Sequence, residues 1–127
     1  MESVLIYLND ERSDVLTTLE EFLGPKTEHG WTWPSEDVVL FIDFYEDYSE
    51  IEPDFMKSIC NKLGSFPKTT IGADVRRSAN KRKKVLEFFI HVLTKHFGIA
   101  DDDRNDLWTL EQLLNDEHQN GVKFFDY

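Results

Sequence analysis

The longest nearly unbroken run of apolar side chains lies at residues 38–45 and reads Val-Val-Leu-Phe-Ile-Asp-Phe-Tyr. Eight residues rich in β-branched and aromatic side chains are typical of a strand rather than of a helix. At a period of two, one side holds Val38, Leu40, Ile42 and Phe44, and the other holds Val39, Phe41, Asp43 and Tyr45. Because both sides are mostly apolar, the run predicts a central strand of a sheet. The Asp43 carboxylate makes the second side either a covered face or a binding surface.

The rest of the chain alternates between the strand period and the helix period. Further strands are predicted at residues 3–8, 69–75, 107–109 and 122–127, and residues 25–37 are predicted to form a loop or an irregular edge strand. Helices are predicted from Asp10 or Ser13 to Gly24, from Pro53 to Gly64, from Ser78 or Asn80 to Gly98, and from a Thr109 cap to Leu114. Thr109 followed by Gln112 matches the capping-box pattern.

The order of these elements predicts an α/β or α+β fold built on one layer of four to five mixed or antiparallel strands. Each predicted helix has only one apolar stripe, so we expect the amphipathic helices mainly on one face of the sheet. The other face is then open or half-open, with Tyr7, Asp43, Tyr45 and Asp74 on it. A length of 127 residues predicts a single domain, residues 1–127.

The net charge is −11, from 25 acidic and 14 basic side chains. An acidic protein gains no counterion-release binding to nucleic acid or to an anionic membrane, so neither is expected as a partner. The charges are unevenly placed, since residues 36–54 hold eight carboxylates and no lysine or arginine, and residues 76–84 hold six basic side chains. The basic run is expected to be structural or solubilising, with contact to an acidic partner patch as the alternative.

Several absences shape the expected location. No apolar run reaches the ~18 residues of a membrane-spanning helix, and the first residues lack the pattern of a signal peptide. Cys60 is the one cysteine, and it is expected to be a small buried apolar residue rather than a reactive thiol. These features predict a cytoplasmic protein.

The stretch Asp37–Asp54, which we call the acidic segment, is the main candidate for function. Carboxylates that flank aromatic anchors suit the capture of a basic protein, since charge speeds encounter and aromatic rings hold the complex. The candidate partner-binding residues here are Asp43, Tyr45, Glu46, Asp47, Tyr48 and Glu50. Trp31 and Trp33 are added as possible anchors, although they also fit a lid over the end of the core. The alternative for the whole segment is a solvated rim.

Catalytic and metal sites find weaker support. Asp43 and Asp74 could share a proton or a metal on neighbouring strands, as in a metal-dependent hydrolase. The four histidines are scattered at positions 29, 91, 96 and 118, with no zinc spacing, phosphate loop or nucleophile elbow. The run Asp101–Asp106 matches a calcium loop at Asp101, Asp103 and Asn105, yet it lacks the glycine and the final glutamate that such loops need. We therefore expect no metal and no cofactor.

Four short motifs resemble small acidic bacterial immunity proteins of toxin–immunity pairs, including polymorphic and contact-dependent toxin systems. They are Ile-Gly-Ala-Asp-Val-Arg at 71–76, Phe-Gly-Ile-Ala at 97–100, Asp-Asp-Asp at 101–103 and Leu-Trp-Thr-Leu-Glu at 107–111. The resemblance covers residues 66–115 and implies a non-enzymatic cytosolic protein that neutralises a cognate toxin by binding it. It carries over no catalytic residue, and the Lys81–Lys84 cluster is more basic than the pattern. We expect a cognate basic toxin as partner, with a metal-dependent hydrolase or a general protein-interaction module as the alternatives.

Overall fold

The computed structural model describes residues 2–76, 81–102, 104 and 106–125. The strands are β1 (Glu2–Leu8), β2 (Trp31–Trp33), β3 (Leu40–Phe44), β4 (Thr69–Val75), β5 (Gly98–Asp101), β6 (Leu107–Trp108), β7 (His118–Gln119) and β8 (Val122–Lys123). The helices are α1 (Arg12–Leu23), α2 (Pro53–Leu63), α3 (Lys81–Lys95) and α4 (Leu110–Leu114), with a 3₁₀ turn at Tyr48–Glu50. The fold is therefore α+β, one of the two classes predicted, and its main sheet has six strands where four to five were expected. The helix caps predicted at Ser78 or Asn80 lie outside the described residues.

Six strands form one antiparallel sheet in the order β2-β3-β4-β1-β5-β6. β1 lies between β4 and β5, with Ile6 opposite both Ile71 and Ala100. The side of the sheet that carries these three residues is the core face, where all three are buried. Apolar residues of α1, α3 and α4 pack on it, so the helices lie mainly on one face, as predicted.

The apolar run at residues 38–45 is not central, which corrects the sequence-based prediction. β3 lies second from the edge, between β2 and β4. Leu40 and Ile42 are buried on the core face, but Phe41 on the opposite face is 38% exposed. β3 is apolar on both sides for two different reasons. One side packs in the core, and the other carries an exposed aromatic ring.

Two sequence-based predictions for residues 98–127 differ from the structure. Gly98 was expected to close α3, but it begins β5, a strand that the pattern did not predict. A Cβ atom at Gly98 would collide with the Leu8 side chain and the Tyr7 carbonyl oxygen, so this glycine permits the close approach of β5 to β1. Of the strand expected at residues 122–127, the described residues 122–125 form only β8, which pairs with β7 in a separate two-stranded ribbon, and residues 126 and 127 lie outside the described residues.

The second face of the sheet is covered over only half its width. α2 packs across β1 and β5, where Ile59 and Leu63 bury Tyr7, Ile99 and Leu107 in a second, smaller apolar cluster. The other half has no such layer in the described structure. We call it the open face, and its residues are Ser3, Thr32, Phe41, Asp43, Gly72 and Asp74.

Local signals at most helix ends were predicted correctly. Pro53 begins α2, Gly64 ends it in the left-handed conformation, and Thr109 with Gln112 forms the capping box of α4. Besides the end of α3, the start of α1 is an exception, because its N-cap is Glu11 without a side-chain hydrogen bond, so the caps predicted at Asp10 or Ser13 are wrong. No helix in the described parts of the chain is long and apolar enough to cross a membrane.

Candidate functional site

The acidic segment includes β3, and after Phe44 the chain turns sharply through the 3₁₀ turn. Asp47 caps that turn, because its carboxylate accepts hydrogen bonds from the backbone N–H of Ser49, at 3.3 Å, and from the Ser49 hydroxyl. The side chains of Glu46, Asp47 and Glu50 are exposed. The structure therefore brings three of the predicted carboxylates together at one corner of the molecule.

Two carboxylates of this segment have cationic partners from other parts of the chain. Arg12, at the start of α1, forms an ion pair with Glu46, and the Lys26 ammonium lies 3.6 Å from Asp43. Both pairs are partly solvent-exposed, and pairs of this kind contribute only about 0–1 kcal/mol. They lower the local charge, and Asp43 Oδ1 is held further by the Phe44 backbone N–H, which donates to it at 2.8 Å.

Tyr45 and Tyr48 form an aromatic pair beside these carboxylates. Their rings meet edge to face with centroids 6.3 Å apart, and Tyr48 also meets Phe66 edge to face at 5.3 Å. The Tyr48 hydroxyl is 2.8 Å from the Thr70 hydroxyl. Burial raises the pKa of Tyr45, and Glu50 and Asp47 raise it further. The two rings are thus held in place before any partner arrives.

A pocket of about 150 Å³ opens between this corner and the start of α1. It is lined by Arg12, Phe44, Tyr45, Glu46, Tyr48, Lys68, Thr69 and Thr70. The Arg12 guanidinium lies 4.2 Å from the centre of the Phe44 ring. An enclosed cavity of this volume holds one benzene-sized group, so the pocket is large enough for a single side chain.

The open face brings Phe41, an aromatic residue of the acidic segment, together with Asp74, which the sequence analysis did not assign to the binding site. Phe41 lies directly opposite Asp74, and Asp43 lies opposite Gly72, so all three side chains are on the same face. Asp74 accepts a hydrogen bond from the Ser3 hydroxyl at 2.6 Å. The alternation of the strand already predicted that Phe41 and Asp43 share a face. The sequence pattern alone did not show which face of the sheet lacks a helix.

Asp43 and Asp74 are diagonal neighbours on adjacent strands, each with a different partner, Lys26 or Ser3. Among the described residues, no group of three or more His, Cys, Asp or Glu side chains could hold a metal ion. The geometry therefore adds nothing to the hydrolase hypothesis beyond the shared face of the two aspartates.

The structure places Trp31 and Trp33 away from the acidic corner. Both lie on the core side of the sheet, and Trp31 is 4% exposed with its indole N–H donating to the Gly24 carbonyl at 2.8 Å. Trp33 is half-buried, with its ring 5.2 Å from that of Phe22 and the Lys84 ammonium 5.2 Å above it. These positions fit a lid over the end of the core.

A buried polar cluster joins three distant elements. His96 is 6% exposed, and its Nδ1 is 2.5 Å from Asp10 Oδ2 while its Nε2 is 2.7 Å from Thr18 Oγ1. The connectivity of hydroxyl, imidazole and carboxylate is that of an activated nucleophile. Thr18 is only 7% exposed, however, so no substrate reaches its hydroxyl. The cluster is structural, and it uses the Asp10 carboxylate that was expected to cap α1.

The aspartate-rich run after β5 also has a structural role. Asp102 is 2% exposed and accepts hydrogen bonds from the Trp108 indole at 2.9 Å and from the backbone N–H groups of Arg104 and Asp106. Asp101 is buried in β5 and accepts from the Tyr7 hydroxyl at 3.1 Å. Burial, followed by the charge of Asp101, raises the pKa of Tyr7. The calcium-loop positions Asp103 and Asn105 lie outside the described residues.

Two side chains of the basic run contact the protein's own acceptors. Arg82 donates to the Phe124 carbonyl and to Asp116, both at 2.9 Å, and the Lys84 ammonium is 3.3 Å from Glu87. Hydrogen bonds from Lys123 and Arg82 lower the pKa of Asp116. These contacts agree with the structural interpretation of the run.

Comparison with known proteins returned no match: no family model, curated protein or solved structure is similar to this chain.

Proposed function

We propose that the chain is a non-enzymatic, cytoplasmic, immunity-type protein that neutralises a cognate basic toxin by binding it through the acidic segment. The observation that carries the proposal is the corner after β3, where exposed Glu46, Asp47 and Glu50 surround the ordered pair Tyr45 and Tyr48. The motif resemblance to immunity proteins and the net charge of −11 support it.

The two kinds of side chain contribute differently to binding. Exposed carboxylates set up a negative field that attracts a basic partner and raises the association rate. Tyrosines fill partner pockets at little cost in side-chain entropy and act mainly on the dissociation rate. Hydrogen bonding and edge-to-face contacts already order Tyr48, which reduces the entropy lost on binding further.

The test uses the protein encoded by the gene next to this one, produced with and without this chain. Replacing Asp43, Glu46, Asp47 and Glu50 by their amides should slow association at low salt. The effect should shrink as salt rises, because charges are screened beyond about 8 Å at physiological ionic strength. Tyr45→Ala and Tyr48→Ala should instead speed dissociation. Stopped-flow or biosensor kinetics separate the two effects.

The matched control changes net charge by the same amount elsewhere on the surface. It replaces four other exposed glutamates by glutamine, at positions 21, 28, 111 and 117. If both sets slow association equally, the acidic segment is a solvated rim and recognition lies elsewhere. If the neighbouring gene product neither inhibits growth nor binds this chain, the immunity function itself is refuted.

A further inference from the structure

We infer that the open face seats an arginine side chain of a basic protein partner, with its guanidinium over the Phe41 ring and between Asp43 and Asp74. This inference deepens the proposed function and rests on it for the identity of the partner. The site can nevertheless be tested without that partner.

The first argument is position. Phe41 and Asp74 are direct partners across β3 and β4, and directly opposed Cβ atoms lie about 4.5–5.5 Å apart. Asp43 is two residues along the same strand, about 7 Å away on the same face. The ring therefore has a carboxylate on its own strand and another on the neighbouring strand, both within reach of one planar cation.

The second argument is exposure. The Phe41 ring is 38% exposed, the Asp43 side chain is 46% exposed, and Asp74 is exposed. Gly72 lies opposite Asp43 and two residues before Asp74 on β4. A Cβ atom at Gly72 would be 3.5 Å from Leu5 and 3.6 Å from Tyr45. Because Gly72 has no side chain, that position adds nothing that would cover Asp43 or Asp74.

The third argument is charge complementarity. An aromatic face attracts a cation, and carboxylates on two sides match the fork of hydrogen-bond donors on a guanidinium. Arginine suits this arrangement better than lysine, because its flat and weakly hydrated head stacks on a ring while it donates in the ring plane. The same chemistry already occurs within the chain, where Arg12 lies over Phe44 and pairs with Glu46.

Charge also argues against a second copy of this chain as the occupant. A symmetric dimer through the open face would place Asp43 and Asp74 of one copy against those of the other. Like charges brought together across an interface are unfavourable, and each copy already carries a net charge of −11. The pair between Asp43 and Lys26, at 3.6 Å, is too exposed to exclude a competing cation.

The experiment is a titration of the ¹⁵N-labelled protein with an acetylated, amidated tri-arginine peptide, followed by two-dimensional NMR. The expected result is a set of shift changes concentrated at residues 41–43 and 72–74. Phe41→Ala should weaken binding about two- to five-fold, the ratio for an exposed cation–π contact, and Asp43→Asn and Asp74→Asn should weaken it as well. The tri-citrulline peptide, which has the same shape without charge, should produce no such shifts.

Phe97→Ala is the matched control, because Phe97 is 62% exposed at the other end of the molecule and should not affect binding. Should Phe41→Ala fail to fold, the two asparagine variants carry the test. The inference is overturned if millimolar tri-arginine produces no shifts, if the shifts centre on residues 46–50, or if tri-citrulline matches tri-arginine.

The same variants then distinguish the site from the function. If the neighbouring gene product binds wild type and Phe41→Ala equally well, the proposed arginine-binding site is refuted and the proposed function is not. If tri-arginine binds to the open face but that gene product does not bind, the proposed function is refuted and the arginine-binding site is not.

Discussion

Replacing Trp108 tests whether the core and the aspartate-rich loop form one structural unit. Trp108 is fully buried, its ring meets Phe124 edge to face at 5.8 Å, and its indole N–H donates to Asp102 at 2.9 Å. Trp108→Ala should destabilise the protein by about 3–5 kcal/mol, as for other buried aromatic truncations. Domains of this size have a free energy of unfolding of about 5–15 kcal/mol, so the loss is a large share of the total.

Trp108→Phe separates the two contributions, because it keeps an aromatic ring in the core and removes only the donor to Asp102. A hydrogen bond to a charged group contributes about 1.5–3 kcal/mol, and Asp102 keeps its two backbone donors. The phenylalanine variant should therefore lose less stability than the alanine variant.

The assay is urea unfolding at 25 °C followed by far-UV circular dichroism, since tryptophan fluorescence changes with the substitution itself. Leu114→Ala is the control, because Leu114 lies in α4 and is 60% exposed. It should stay within about 0.5 kcal/mol of wild type. The reasoning fails if Trp108→Ala unfolds at the wild-type urea concentration and merely loses partner binding.

Three further outcomes are expected. The pKa of Tyr7 is raised by burial and by Asp101, so the unfolded chain loses this proton first, near pH 10. The stabilising contribution of Tyr7 is then fully present below about pH 10, and above it the free energy of unfolding falls by up to about 1.4 kcal/mol per pH unit. Tyr7→Phe should flatten that decline in urea titrations from pH 9 to 11.5. Gly98→Ala should cost about 1–3 kcal/mol in thermal unfolding, because its Cβ meets Leu8 and the Tyr7 carbonyl; an unchanged melting temperature would contradict the close approach of β5 to β1. The melting temperature should be the same in millimolar calcium as in sodium, and a rise of several degrees with calcium would show that an ion is bound.

Features that depend on neighbouring residues were predictable from the sequence. β4 has the predicted bounds, residues 69–75, and the capping box at Thr109 and Gln112 forms as expected. Pro53 and Gly64 mark the ends of α2. At these helix ends the controlling interaction spans four residues or fewer, or comes from the backbone preference of one residue.

Features that depend on distant partners were not predictable. The Asp10 carboxylate, which was expected to cap α1, contacts His96 instead, 86 positions away. The position of β3 in the sheet depends on strands elsewhere in the chain. The candidate site shows the same limit. Its carboxylates and tyrosines could be named from the sequence, but their counter-charges Arg12 and Lys26 could not, since both come from outside the acidic segment.

The placement of β1 has a consequence for how the protein forms during synthesis. β1 is made before β4 and β5, with which it pairs and which end at Val75 and Asp101. At about 5–20 residues per second, a ribosome needs roughly 5–20 s to reach β5 after β1 has emerged. Until β4 emerges β1 has two unpaired edges, and until β5 emerges it still has one, while part of the cover of its apolar side is missing. Such a segment is prone to pair with other chains, and long-range strand pairing is intrinsically slow. The nascent chain is therefore most vulnerable to aggregation and to proteases before residue 101 is available.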